Sequence, residues 1–192
     1  MMKIILASGS PRRKELLERE GFDFLVIPAD CEEVAEPGPA RDVVVSLAKQ
    51  KALWVAEKEK KRINGDTIVI GADTVVSLDD VILGKPKDRE DAFSMLSSLS
   101  GREHEVYTGV ALVSGDGKVM EAFSVCTKVR FRRMTDDEIN GYIDTGEPMD
   151  KAGAYGIQGK GGAFVESVTG DFDNVVGLPV GEVVKRLPCR FF

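Results

Sequence analysis

The stretch Leu6-Ala7-Ser8-Gly9-Ser10-Pro11-Arg12-Arg13-Lys14 decides how the rest of the chain is read. Before it, Lys3-Ile4-Ile5-Leu6 is a short apolar run of the kind that makes a buried strand. After it, Arg13 to Glu20 reads as a helix, with Ser10 as N-cap, Pro11 at the first helical position and Gly21 closing the far end. The unit is a strand, a tight Ser-Gly-Ser turn, and a helix that opens with cations. A helix N-terminus offers unpaired N–H groups and a partial positive charge, so Arg12, Arg13 and Lys14 oppose the helix dipole. Either they are solvated surface, or an anion sits among them. Hydroxyls, backbone amides and arginines in one turn suit an oligophosphate. The turn lacks the Gly-Lys-Ser/Thr ending of a P-loop and the glycine fingerprint of a Rossmann unit.

Around this turn lie 192 residues, enough for one domain (1–192) or one compact two-lobed unit with a substantial core. Net charge is −6, which gives no global basic field and argues against a nucleic-acid polymer as partner, so any polyanion site must be a local basic pocket. Cys31, Cys126 and Cys189 are far apart and odd in number, which suggests reduced thiols and a cytoplasmic protein. The N-terminal apolar run is too short for a signal peptide, and no apolar stretch reaches membrane-spanning length, so no membrane association is expected. His104 is the one histidine, which excludes a His-rich metal site; without partners it reads as structural rather than catalytic.

Further along, Phe22 to Pro28 reads as a strand and Cys31 to Gly38 as an acidic loop. Ala40 to Arg62 is a long helical pattern with Val44, Leu47, Ala48 and Val55 at helical spacing and Lys51 on the same face. Thr67 to Val76 is a buried-looking strand, Asp79-Asp80 a hairpin turn, and Gly84-Lys85-Pro86 its exit. Asp88 caps a helix that Gly101 ends. Val106–Val113 and Lys118–Arg132 are strands joined by Gly115-Asp116-Gly117. Thr135 and Glu138 form a capping box for a helix to Asp144. Eight of the 20 glycines then fall between Gly146 and Gly177, a density that lets backbone approach a ligand or other backbone closely. Ala163–Val168 is a strand and Pro179–Leu187 a closing helix. Early crossovers and later hairpins give an α/β (mixed α+β) protein with a twisted mixed sheet flanked by helices.

Five places could carry chemistry. Asp73 interrupts an apolar strand, where a carboxylate is costly unless paired or metal-bound; it is a general base or metal ligand, or else a strand-end cap for a neighbouring turn. Glu33 is solvated unless the fold brings it beside Asp73, in which case the two could hold Mg²⁺. Lys51 and Lys85 are surface lysines or phosphate ligands. In the segment from Glu147 to Gly159, Gln158 could read a base edge, or the glycines serve only turns.

With these motifs in order, the chain resembles the Maf (septum-formation) family of nucleotide pyrophosphatases over nearly its whole length. The resemblance rests on Ser8-Gly9-Ser10-Pro11-Arg12-Arg13, Glu33, Leu47-Ala48 with Lys51-Ala52, Gly71-Ala72-Asp73-Thr74, Gly84-Lys85-Pro86, Leu99-Ser100-Gly101, Thr108-Gly109-Val110, Asp150 to Gly159, and Asn174-Val175-Val176-Gly177-Leu178-Pro179. It implies a fold with two lobes around a cleft, similar to inosine triphosphate pyrophosphatase. It implies hydrolysis of a nucleoside triphosphate between the α and β phosphates, with a divalent cation, Mg²⁺ or Mn²⁺. Asp73 matches the proton acceptor; Arg12, Thr74 and Gln158 match positions linked to base selection. Ser8, Arg13, Glu33, Lys51 and Lys85 match phosphate- or metal-handling positions, Ser10 joins the substrate-binding turn, and Glu33 with Asp73 would hold the metal. The run Asp150–Gly159 resembles the subgroup acting on dTTP and UTP. The alternatives are the same chemistry on 7-methyl-GTP, or a non-catalytic nucleotide-binding regulator of cell division. A homodimer is a further expectation from the resemblance.

Overall fold

A computed structural model describes residues 3–188, so Cys189 lies outside the described residues. The elements follow in the order β1 (Lys3–Leu6), α1 (Pro11–Arg19), β2 (Phe24–Val26), α2 (Ala40–Glu59), β3 (Thr67–Leu78), β4 (Val81–Leu83), α3 (Arg89–Leu99), β5 (Glu103–Ser114), β6 (Val119–Phe131), α4 (Asp136–Ile143), β7 (Val165–Thr169), α5 (Phe172–Val176) and α6 (Val180–Arg186). Three short 3-10 turns, Glu147–Asp150, Ala152–Ala154 and Lys160–Phe164, lie between α4 and β7. Seven strands form a mixed sheet in the order β2-β1-β3-β5-β6-β7, with β4 paired to β3. The β1–β2 and β1–β3 pairs are parallel, whereas β3–β4 and β6–β7 are antiparallel. The mixed α/β reading therefore holds. Among the described residues no helix is long and apolar enough to cross a membrane.

Local chemistry explains the element ends. Ser10 is the extended N-cap of α1, with its hydroxyl accepting from the Arg13 amide, and Pro11 supplies the first helical residue. Asp88 caps α3 through the Asp91 amide, and α4 opens on the full Thr135–Glu138 capping box. Asp79 and Asp80 both take positive φ, 50° and 64°, as a two-residue turn between antiparallel strands requires.

The chain divides into two compact units. Among the described residues, the first holds 3–73, 108–125 and 177–188; the second holds 74–107 and 126–176. The first unit packs Ile5, Val69, Ala111 and Val113 of the sheet, with Ala7 just after β1, against Ala48, Ala52, Val55 and Ala56 of α2. Two glycines set how closely this helix lies. A Cβ on Gly71 would overlap the Ala48 carbonyl, and one on Gly109 would overlap the Val44 backbone.

The second unit is built on Leu96, Leu99, Phe131, Ile139, Tyr142 and Phe164. Within it, His104 is 2% exposed and stands edge-on to Phe131 (centroids 4.9 Å apart) and Tyr155 (5.4 Å). Its Nε2 is 2.8 Å from the Tyr155 hydroxyl, and its Nδ1 has no hydrogen-bond partner among the described residues. Burial lowers the His104 pKa to about 4. The unfolded chain therefore takes up a proton near pH 6.5 that the folded chain refuses until about pH 4. Stability is full above pH 6.5 and falls as the pH drops toward 4, by about 3 kcal/mol for this shift. Urea unfolding at pH 7 and pH 5 tests this, with His104→Phe expected to flatten the slope that one histidine contributes; an unchanged slope would contradict it.

Candidate active site

The first unit carries a cluster of opposite charges, and the fold explains each member. Residues two apart on a strand share a face, so Asp73 points to the side of β3 on which Gly71 receives α2. Lys51 lies between Ala48 and Ala52 in register with that contact. Its ammonium reaches Asp73 Oδ1 at 2.6 Å and Glu33 Oε2 at 3.0 Å. The Lys51 and Asp73 side chains are each 13% exposed, whereas Glu33 is 48% exposed. Glu33 comes from the acidic loop, which is fixed to α2 by Gln50. The Gln50 amide accepts from the Val34 N–H at 3.0 Å and donates to the Val34 carbonyl at 2.8 Å. The neighbouring residues on both sides, Glu33 and Lys51, are thereby brought together.

Arg13 is fixed with similar care. Its Nε donates to the Gly177 carbonyl at 2.7 Å, and its Nη1 donates to Ser8 Oγ at 3.1 Å. The same hydroxyl accepts from the Ser10 amide at 3.2 Å. Burial lowers the Arg13 pKa; Asp73 and Glu33 act against this and Arg12 adds to it. Arg13 stays cationic throughout the working pH range, and both carboxylates lie within its electrostatic reach.

Asp73, a carboxylate that would be costly alone in an apolar strand, is thus paired. It has a cation on it, because α2 delivers Lys51 to that face. Lys51 itself turns to two carboxylates rather than standing free for phosphate. Among the described residues no group of three or more His, Cys, Asp or Glu side chains converges as a metal cage.

Three further residues fall in the second unit. Thr74 follows Asp73 directly on β3. Lys85 is exposed in the turn after β4, and Gln158 is exposed in the glycine-rich segment. The two segments are joined, since the Gly153 amide donates to the Gly84 carbonyl at 3.0 Å. Gly153 lies so close to Val76 that any side chain there would collide with it. Ala154, fully buried, holds φ 60°, a conformation that costs an L-residue roughly 1–2 kcal/mol.

The Maf-like protein family matches residues 3–188. The chain belongs to the Maf family. A dTTP/UTP pyrophosphatase of Bacillus anthracis is 51% identical over 97% of this chain and 95% of its own length. Another so named, from Caldanaerobacter subterraneus subsp. tengcongensis, is 51% identical over 99% of this chain and 90% of its own. A Ham1 protein from Coxiella burnetii is a looser likeness, with 17% identity and a TM-score of 0.47 over 85% of this chain and 91% of that one; no functional reading rests on it. In this Maf protein, sequence reasoning missed Gln50 and the Gly177 carbonyl. Neither residue type announces its role, because each acts through a backbone contact made only on folding.

Proposed function

We propose that this Maf protein is a nucleoside triphosphate pyrophosphatase that hydrolyses dTTP and UTP to the monophosphate and pyrophosphate. The observation that carries the reading is the 51% identity, over nearly the full length of both chains, to enzymes of that name. The charge cluster supports it. Attack of water on the α-phosphorus breaks its bond to the α–β bridging oxygen, and pyrophosphate leaves with the electron pair. Asp73 takes the proton from the attacking water. Arg13 offsets charge on the phosphate oxygens, and because Ser8 and Gly177 already hold it, little reorganisation is needed; Lys51 would do the same once a divalent cation took its place between Glu33 and Asp73. Ser8, Ser10 and the first-turn amides cradle the phosphate chain, Lys85 adds a further cation, and Arg12, Thr74 and Gln158 select the base.

A divalent cation fits the donor set. Glu33 and Asp73 send one oxygen each to a single point, now the Lys51 ammonium, and carboxylate oxygens suit Mg²⁺ or Mn²⁺. Two carboxylates would hold such an ion, with water and substrate oxygens completing its shell. When bound it would supply further charge compensation on the triphosphate. Cys31 and Cys126 are free thiols, which supports a reducing, cytoplasmic setting.

The test is multiple-turnover release of pyrophosphate from dTTP, UTP and 7-methyl-GTP, with Mg²⁺ or Mn²⁺ present. The expected order places the two pyrimidine nucleotides first. Fastest hydrolysis of the purine overturns the substrate assignment, and the absence of turnover on any of the three overturns the enzyme.

A further inference from the structure

The glycine-rich segment has a centre that lies outside every motif residue considered so far. Glu147 begins the first 3-10 turn after α4 and is half-buried. Its carboxylate accepts from three donors on two separate pieces of chain, α4 and the 3-10 turn that opens at Lys160. The Tyr142 hydroxyl donates to Oε1 at 2.9 Å, the Lys160 amide to Oε2 at 3.0 Å, and the Gly161 amide to Oε1 at 3.3 Å. The Tyr142 hydroxyl in turn accepts from the Gly156 amide at 3.1 Å. Between these anchor points the chain makes one tight turn. The Gly159 amide donates to the Gly156 carbonyl at 3.2 Å, which leaves Ile157 and Gln158 as the two central residues. Gly159 lies directly against the Glu147 carboxylate, where any Cβ would overlap its oxygens. Gln158 is exposed at the tip, while the turn beneath it is clamped on both sides by one hydroxyl and one carboxylate.

The chemistry of this clamp is specific. Amides in a glycine-rich loop have no side chains to shield them and no ladder to join, so they need an acceptor. A carboxylate has two oxygens and no proton to offer, so it satisfies several N–H donors at once. Burial raises the Glu147 pKa, but the Lys160 amide, the Tyr142 hydroxyl, the Gly161 amide and the nearby Lys151 outweigh it, and the net shift is downward. The carboxylate therefore stays ionised, and accepting only, at neutral pH. Lys151 is held next to it, its ammonium donating to the Glu147 carbonyl at 2.8 Å and to Asp150 at 2.6 Å.

We propose that Glu147, with Tyr142, is a positioning residue for base selection: it fixes the Gly156–Gly159 turn so that the Gln158 amide meets the nucleotide base in one orientation. The inference rests on the proposed pyrophosphatase activity and on the assignment of Gln158 to base selection. A flexible glutamine could hydrogen-bond many bases, since its amide both donates and accepts. Fixing the backbone beneath it makes the order of donor and acceptor selective, because a mismatched base then leaves polar groups unpaired.

The test compares kcat/KM for dTTP with that for GTP in the parent protein, Glu147→Gln, Gln158→Ala and the double variant. Glu147→Gln keeps size and shape but turns an NH₂ donor toward an N–H donor. It is expected to lower the dTTP-over-GTP ratio at least tenfold, and adding Gln158→Ala is expected to lower it no further. Tyr142→Phe removes only the bridging oxygen and should lower the ratio about threefold in a folded protein; it decides the matter if Glu147→Gln does not unfold cooperatively. A ratio unchanged in a folded Glu147→Gln or Tyr142→Phe protein overturns the proposal, as do effects of Glu147→Gln and Gln158→Ala that simply multiply. Failure of the parent protein to hydrolyse dTTP is a different result, and it counts against the function rather than the clamp.

Discussion

Asp73→Asn is expected to lose at least ~10²-fold in kcat on dTTP, the lower range for removing a general base, while substrate binding stays within a few-fold of the parent. Asparagine has the shape of aspartate, and its carbonyl can still accept from the Lys51 ammonium that stands 2.6 Å from Asp73 Oδ1. Packing under α2 is untouched, because Gly71, Ala48 and Ala52 make that contact. What disappears is the ability to take a proton from water. Steady-state kinetics with a nucleotide-binding titration separate the two quantities. A variant with near-parental kcat would remove Asp73 from the chemistry; a variant that no longer binds dTTP would make it a binding group.

The second large effect belongs to Lys51→Met. Methionine keeps the apolar stem that lies along α2 but removes the charge. Asp73 and Glu33 then face each other with no cation between them, and the Asp73 side chain is 13% exposed, too buried for water to compensate fully. Breaking such a pair from one side costs about 2 kcal/mol once the half-exposed Glu33 is allowed for. kcat/KM is expected to fall by ~10²-fold or more, the range for removing one fixed donor from a developing charge. The double variant Lys51→Met/Asp73→Asn should be more stable than Lys51→Met alone, since the neutral amide no longer needs a counter-ion. Urea unfolding of the four proteins in this cycle measures the coupling directly. Additive stabilities would mean that the ion pair contributes nothing.

These expectations depend on features that the sequence revealed unevenly. Ser10, Pro11, Asp88 and the Thr135–Glu138 box act through neighbours within a few residues, so their spacing alone fixed α1, α3 and α4. The Asp79-Asp80 turn was legible for the same reason. Boundaries moved where pairing decides them. The strand expected over 22–28 pairs only as Phe24–Val26, because β2 lies at the sheet edge and its partner β1 is four residues long. The helix expected to Arg62 ends at Glu59. α5 was missed because five residues are too short for a helical period, and the 3-10 turns of the glycine segment have none to read.

The site divides along the same line. Ser8, Arg13, Lys51 and Asp73 were each singled out, but their arrangement was not legible. That α2 lies close enough for Lys51 to reach Asp73 depends on Gly71 and Gly109, which look like ordinary strand glycines. That Glu33 joins them depends on Gln50 holding Val34, a side-chain-to-backbone bond between residues 16 apart. Glu147 was named only as the start of its segment, because two of its three partners are amides, and an amide leaves no mark in a sequence. The parallel-then-antiparallel order of the sheet was visible early, since crossovers and two-residue turns differ in length.

In the proposed reaction, water attacks the α-phosphorus of a nucleoside triphosphate. Hydrolysis of dTTP in water labelled with oxygen-18, followed by mass spectrometry of both products, tests it most directly. One labelled oxygen is expected in the thymidine monophosphate and none in the pyrophosphate. Label in the pyrophosphate, or release of inorganic phosphate in its place, would contradict it.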